Sequence, residues 1–283
     1  MGHLATDIRT LSKNEASLIL ALQWEGKRTV GIGEIRRRLG ASDAYAWFIA
    51  HRLAKKGWLE RIRPGIYQVI PADRGPEGVP DANPLIAHLL VDGPYFYSYG
   101  TACTLHGLTD QVFSEVYVAT QTPRRPAMVR GKRYIFLPHP KSRFFGFEER
   151  MVLGQSVQLA EPERALIDAL DKPRHAGGIG EVSLIVKRAA TRVAWSKLVS
   201  YLRRWKQSAP VQRLGALLDI HSIAIPESER KELVSLVRPK SKVLLGPRNR
   251  WGTRGPLLVP WNVVRNVPED VILENRRDRR KVR

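Results

Sequence analysis

The sequence has a single cysteine, Cys103, among 283 residues. No intrachain disulfide framework can form, which fits a reducing compartment and leads us to expect a cytoplasmic protein. One cysteine and seven scattered histidines also argue against a structural zinc site. There is no apolar run approaching the roughly 18 residues that span a bilayer, and the first residues lack the charged and apolar regions of an export signal. A phosphate-cradling G-x-x-x-x-G-K-[ST] loop is missing too. The segment "HAGGIGEV" (175–182) reads instead as a flexible link before a helix. Acidic charge is also scarce. Lys and Arg number 47 against 27 Asp and Glu, for a formal net charge of +20. So large an excess points to an anionic partner, most often nucleic acid.

What is present is a globular composition, 43% hydrophobic and 26% charged. The basic charge sits at the two ends: 12 basic against 6 acidic residues in 1–71, 10 against 11 in 72–170, and 25 against 10 in 171–283. A proline- and glycine-rich stretch at 72–84 reads as a linker. The expected organisation is therefore a head at 1–71, the linker, a mixed α+β domain at 85–273 and a basic tail at 274–283.

In the head, Ser12 and Glu15 form a capping-box pattern ahead of Ala16, Ile19, Leu20 and Leu22, and Gly26 ends that helix. A second helix lies between Gly33 and Gly40. A third starts at Ser42 as N-cap and stops at Gly57. "WLERIRPGIYQVI" then alternates outward Glu60, Arg61 and Arg63 with apolar Leu59, Ile62, Ile66 and Val69, turning at Pro64-Gly65. Three helices and a hairpin are the order of a winged helix-turn-helix.

On the third helix, Ala46, Ile49, Ala50 and Leu53 share the core face. The opposite face carries Ala44, Phe48, His51, Arg52 and Lys55, with Tyr45 at its edge, where a recognition helix would meet the major groove. Arg52 suits guanine O6/N7, and Tyr45 and Phe48 suit thymine methyls. Lys55, Lys56, Arg61 and Arg63 suit phosphates, with Arg36, Arg37 and Arg38 on the second helix and Ser42 completing the set. A protein-docking module is the other use of such a head.

Beyond the linker, "SYGTACTLHGL" reads as a small-residue helix and "SEVYVAT", "KRYIFLP" and "RFFGF" as strands. "AEPERALIDAL" and four amphipathic segments read as helices, and "KVLLGP" and "PLLVPWNVV" as closing strands. "KKGWLERIRPGIY", "YSYGTACTLHGL", "VYVAT", "AEPERALIDAL" and "VQRLGALLD", in that order from about residue 12 to 220, give the chain its likeness. It resembles AbiEi-family antitoxins, the regulator half of type IV toxin–antitoxin modules in phage abortive infection. The resemblance implies a non-enzymatic autorepressor that binds inverted repeats in its own promoter as double-stranded DNA. It also implies a C-terminal domain that counteracts a co-encoded nucleotidyltransferase-like toxin without needing a stable complex. From the residues themselves we expect no cofactor and no membrane partner; the family's DNA contacts map onto Tyr45, Arg52, Lys55, Arg61 and Arg63.

Two enzymatic patterns compete. Asp219, Glu229 and Lys231 form a D…E-x-K string like that of metal-dependent nucleases, which requires the E-x-K on a strand beside the aspartate. Cys103 and His106 could form a thiolate dyad only if separate elements brought them together.

Overall fold

The computed structural model describes residues 9–74, 85–152 and 155–273. Most of the expected linker and the whole of the tail at 274–283 lie outside the described residues. Contacts divide the chain into two compact units between Asp92 and Gly93.

The first unit runs α1 (Lys13–Trp24), β1 (Thr29–Gly31), α2 (Ile32–Leu39), α3 (Asp43–Lys55), β2 (Leu59–Arg63), β3 (Ile66–Val69) and α4 (Ala87–Leu90). The Ser12/Glu15 capping box is present on α1, and the Tyr45 amide donates to the Ser42 hydroxyl at the start of α3. Gly40 ends α2 in the left-handed region, at φ 58°. One strand was not anticipated: β1 pairs with β3, making a three-stranded sheet in the order β1-β3-β2. Three residues of "TVG" carry too little pattern to announce a strand.

The hairpin has an irregularity that the sequence alternation did not show. Its register shifts between Arg61 and Arg63. This bulge lets Leu59 and Ile62 both turn inward while Arg61 stays exposed. Across from them, Tyr67 is buried and Ile66 only half so. On α1, Leu18, Ile19 and Leu22 are buried, while Leu20 is 62% exposed. Residues 85–90 were expected to open the second domain. Instead α4 packs on β2, so by contacts it belongs with the head.

The second unit is mixed α+β. Its six-stranded sheet has the order β6-β7-β5-β4-β9-β8, from β4 (Tyr95–Tyr97), β5 (Glu115–Thr120), β6 (Ala127–Val129), β7 (Lys132–Pro138), β8 (Phe147–Val152) and β9 (Gln155–Ala160). Pairs β5·β7 and β4·β9 are parallel, and the others antiparallel. Helices α5 (Tyr99–Leu105), α6 (Pro162–Asp171), α7 (Ile179–Ala189), α8 (Trp195–Trp205), α9 (Ser208–Ile220) and α10 (Glu227–Ser235) complete the main body. A small sheet follows from β10 (Val243–Leu244), β11 (Leu257–Leu258) and β12 (Val263–Val264), with α11 (Arg248–Trp251) and α12 (Glu269–Leu273). The expected strand "RFFGF" is instead a 3-10 turn at Lys141–Arg143 leading to Phe147, the first residue of β8.

α6 runs through the middle of this unit, with Glu163 to Leu170 all buried. Among them Arg164 and Asp168 are fully buried and ion-paired at 2.9 Å. His139 is buried nearby against the Tyr99 hydroxyl, 3.0 Å away. Burial pushes its pKa down to about 4, so it is neutral at pH 7.

Candidate nucleic-acid interface

The packing of α3 fixes which residues are presented. Ala46, Ile49, Ala50 and Leu53 are buried, the four residues expected on the core face. Facing away are Tyr45 (37% exposed), Trp47 (41%) and Phe48 (52%), with His51 and Lys55 also exposed. Three of the side chains form a stack: the Tyr45 and Phe48 rings are 6.1 Å apart, and the Arg52 guanidinium lies 5.4 Å from the Phe48 ring centre. Asn14 donates to the Tyr45 hydroxyl at 3.2 Å, tying that ring to α1. Together the exposed rings make an apolar patch on the outer side of α3.

The twelve expected contact residues divide by what already occupies them. Arg37, Lys55 and Arg61 are exposed or partly so and have no ion-pair partner among the described residues. Arg38 is committed inward. Its guanidinium bonds Glu25 at 2.9 Å and Glu34 at 3.0 Å, and Lys27 joins the same acidic pair. Arg63 grips Asp92 with two bonds of 3.0 and 2.6 Å. Arg36 pairs with Asp43 at 3.3 Å, linking the end of α2 to the start of α3. Ser42 spends its hydroxyl on the α3 cap.

Arg52 and Lys56 share a carboxylate the sequence reading used only as a cap. Glu15 is fully buried, 3.2 Å from Arg52 and 2.7 Å from Lys56. It also accepts from the Ser12 amide at 2.8 Å. Burial opposes its ionisation, but the Lys56 ammonium and the Ser12 groups outweigh that and hold its carboxyl below the ordinary range. One side chain therefore starts α1 and pins the last turn of α3. Glu15→Gln should cost about 2–3 kcal/mol, because it strands two cations beside a neutral amide. The depressed pKa has a definite sign. Its contribution is complete above the unfolded value, near 4.3, and is lost as pH falls through the lower folded value. Urea unfolding across pH 2–7 checks both: the variant should be weaker at neutrality, and the gap should close in acid.

Arg9, not singled out from sequence, locks the far side of the hairpin. Its guanidinium stacks 3.8 Å from the Trp58 ring centre and donates to the carbonyls of Ile70 (2.8 Å) and Pro71 (3.0 Å). The Trp58 indole donates back to the Arg9 carbonyl at 2.9 Å. An arginine four residues before a helix carries no local signal of this.

The enzymatic patterns do not assemble. Glu229 and Lys231 lie on helix α10, where residues two apart point to different sides. Asp219, on α9, already accepts from Arg230 at 2.8 Å and from the Trp261 indole at 2.6 Å. Cys103 is buried, and burial pushes its thiol well above the usual range. His106 bonds elsewhere, to the Ala160 carbonyl at 2.6 Å and to Arg150 at 3.0 Å. Among the described residues no helix is long and apolar enough to cross a membrane.

No curated protein matches the sequence. Among solved structures, the crystal structure of the RV2827C protein from Mycobacterium tuberculosis is similar, with a TM-score of 0.67 at 15% identity. The likeness covers 92% of this chain and 94% of that one, so the two share a fold over nearly their whole length. Residues 17–70, from within α1 to the residue after β3, match the family described as "Transcriptional regulator, AbiEi antitoxin".

Proposed function

We propose that the head binds double-stranded DNA at inverted repeats in the promoter of its own operon. Helix α3 enters the major groove and the β2–β3 hairpin lies against the backbone as the wing. The reading rests most on the outer face of α3, where Phe48, His51 and Lys55 stand exposed, outside the core of the head. Lys55, Arg37 and Arg61 supply the charge for phosphates. Arg52 lies where it can release Glu15 for a guanine edge. Arg38, Lys56 and Arg63 act instead by holding the helices and hairpin in place. The C-terminal unit is the antitoxin half, opposing a co-encoded nucleotidyltransferase-like toxin in phage defence in the type IV manner, inside the cytoplasm.

Fluorescence anisotropy on a duplex carrying the promoter repeats tests the first part. Phe48→Ala should weaken binding by about 5- to 100-fold, the range of one lost base contact. Arg61→Gln should weaken binding at every sequence and flatten the salt dependence by about 0.9 of a logarithmic unit. Wild-type affinity and slope in both folded variants would sink the assignment. Growth rescue on co-expression with the neighbouring toxin gene, retained by the Phe48→Ala, Arg61→Gln double variant, would separate antitoxin action from repression.

A further inference from the structure

The C-terminal unit carries a cleft of about 660 Å³ that the DNA-binding reading does not use. Lys172 and Arg174 line it from the turn after α6, Arg213 from α9, and Arg248 and Arg250 from α11. Asp171 is the one carboxylate in the wall. None of these five cations is ion-paired with a described residue, whereas Arg188, Arg230 and Arg265 on the same unit each hold a carboxylate. A concave site that concentrates unneutralised cations is an anion site by its electrostatics alone.

Two further features make it more than a charged surface. Arg213 is fixed in place: Nη1 donates to the carbonyls of Leu170 (2.6 Å) and Asp171 (3.2 Å), and Nε to that of Leu244 (3.4 Å). Its Nη2 has no partner among the described residues, so a preset guanidinium keeps one free edge. The second feature is the "AGG" turn. Gly178 has φ 88° and ψ 178°, a conformation essentially restricted to glycine, and a Cβ there would meet open space. Backbone geometry, not crowding, demands glycine at this edge of the cleft. Helix α7 begins at the next residue without a side-chain cap.

The floor is apolar. Ile179 and Leu245 are buried and Leu244 is half-buried, all three facing the same cavity as the cations. Burial raises the pKa of Asp171, with Asp168 adding to the effect, and Lys172 and Arg213 beside it act the other way. An apolar floor under a cationic rim fits an amphiphilic anion, and the volume is within the range of small-molecule sites. A surplus of four positive charges matches the three to four negative charges of a nucleoside triphosphate.

We propose that this cleft binds a nucleoside triphosphate, its base on Ile179, Leu244 and Leu245 and its phosphates among Arg174, Arg213, Arg248 and Arg250. Isothermal titration of the full chain with ATP, CTP, GTP and UTP in turn, at about 0.15 M salt, tests it. Inorganic tripolyphosphate serves as the probe that lacks a base. At least one nucleotide should bind saturably, one per chain, and at least tenfold tighter than tripolyphosphate. Because Arg213 also holds backbone carbonyls, the exposed pair Arg248→Gln with Arg250→Gln is the decisive variant. It should weaken nucleotide binding at least tenfold and leave promoter affinity within twofold. No saturable binding below about 1 mM for any of the four overturns the proposal, as does unchanged binding by the double variant. Equal binding of tripolyphosphate and nucleotides, or a double variant that loses promoter affinity, overturns it as well. The last outcome would make the cleft a DNA-backbone contact. Loss of promoter binding in Phe48→Ala alone would leave this proposal standing.

Discussion

Replacing Arg164 with alanine should destabilise the C-terminal unit by about 3–5 kcal/mol at neutral pH. The guanidinium is fully buried and does three things at once. Its Nε pairs with Asp168 at 2.9 Å, and its Nη1 donates to the carbonyls of Arg143 (2.6 Å) and Phe145 (2.7 Å). Its plane lies 4.6 to 5.2 Å from the ring centres of Trp205, Phe96 and Phe145. Asp168 also receives the Ser98 hydroxyl, from the residue between β4 and α5. Truncation therefore leaves a carboxylate without its cation and two carbonyls without a donor. Breaking a buried pair costs about 3–5 kcal/mol, against a net stability on the order of 5–15 kcal/mol for a whole domain. The pair is not irreplaceable as packing, only as a pair. Arg164→Met with Asp168→Leu should recover part of the loss, since apolar groups of similar volume avoid the desolvation cost of the two ions, while the Arg143 and Phe145 carbonyls stay without their donor. Arg164→Lys should fall between, because an ammonium cannot hold a carboxylate and two carbonyls in the fork geometry of arginine. Urea unfolding followed by tryptophan fluorescence reads all three. An Arg164→Ala midpoint within 1 kcal/mol of wild type would refute the assignment.

The same segment shows what the sequence disclosed and what it did not. "AEPERALIDAL" announced a helix, since Pro162 sits at its first position with glutamates beside it, and the helix is there. That its arginine and aspartate would form the centre of a domain could not be read, because charged residues four apart on a helix are ordinarily a solvated pair. Only the tertiary fold, which brings Phe96, Phe145 and Trp205 around them, makes the pair internal. The head was far more legible. Caps, glycine stops and the Pro64-Gly65 turn are local signals, and each stands where it was expected.

Long-range features were legible only in part. β8 reads "FEERMV" and is exposed along most of its length, so it offers no alternation to detect. Charge on an edge strand is how such strands avoid pairing with other chains, which hides them from pattern reading too. For the candidate interface, the face of α3 was legible because a helix presents its residues in a fixed order. The division of its arginines and lysines into committed and available groups was not. Nothing near Glu15 says that Arg52 and Lys56 will reach it, and nothing near Arg63 points to Asp92, 29 residues on.

Gly215 gives the reverse of what helix propensity alone leads one to expect. Glycine inside a helix is worth about 1 kcal/mol less than alanine, so Gly215→Ala in the middle of α9 should stabilise on local grounds. Here it should destabilise. A Cβ at 215 would sit 2.1 Å from the Cδ2 and Cε3 atoms of Trp261 and 2.4 Å from Cε2. The obstruction is the rigid fused part of a fully buried ring, not the end of a flexible chain. Nor can the ring withdraw freely, since its Nε1 donates at 2.6 Å to Asp219, one turn further along α9. Gln212 fixes the neighbouring segment from one turn earlier, through the carbonyls of Ser241 (2.7 Å) and Asn262 (3.3 Å). Residues 212, 215 and 219 lie on one helix face, so three hydrogen bonds, two from Gln212 and one to Asp219, flank the glycine and seat the small sheet's surroundings on α9. Overpacking of about 1–3 kcal/mol, with the Asp219 bond of about 1 kcal/mol strained, outweighs the propensity gain and leaves a net loss of about 1–3 kcal/mol. Gly33→Ala is the control. Its added Cβ meets nothing within 4 Å on the exposed side of α2, so the propensity gain should survive there. Thermal unfolding should raise the midpoint for Gly33→Ala and lower it for Gly215→Ala. Trimming the ring in Gly215→Ala with Trp261→Leu should make the two changes less costly together than their separate sum, a coupling that only direct contact produces. Additive losses would mean that Trp261 does not rest on Gly215.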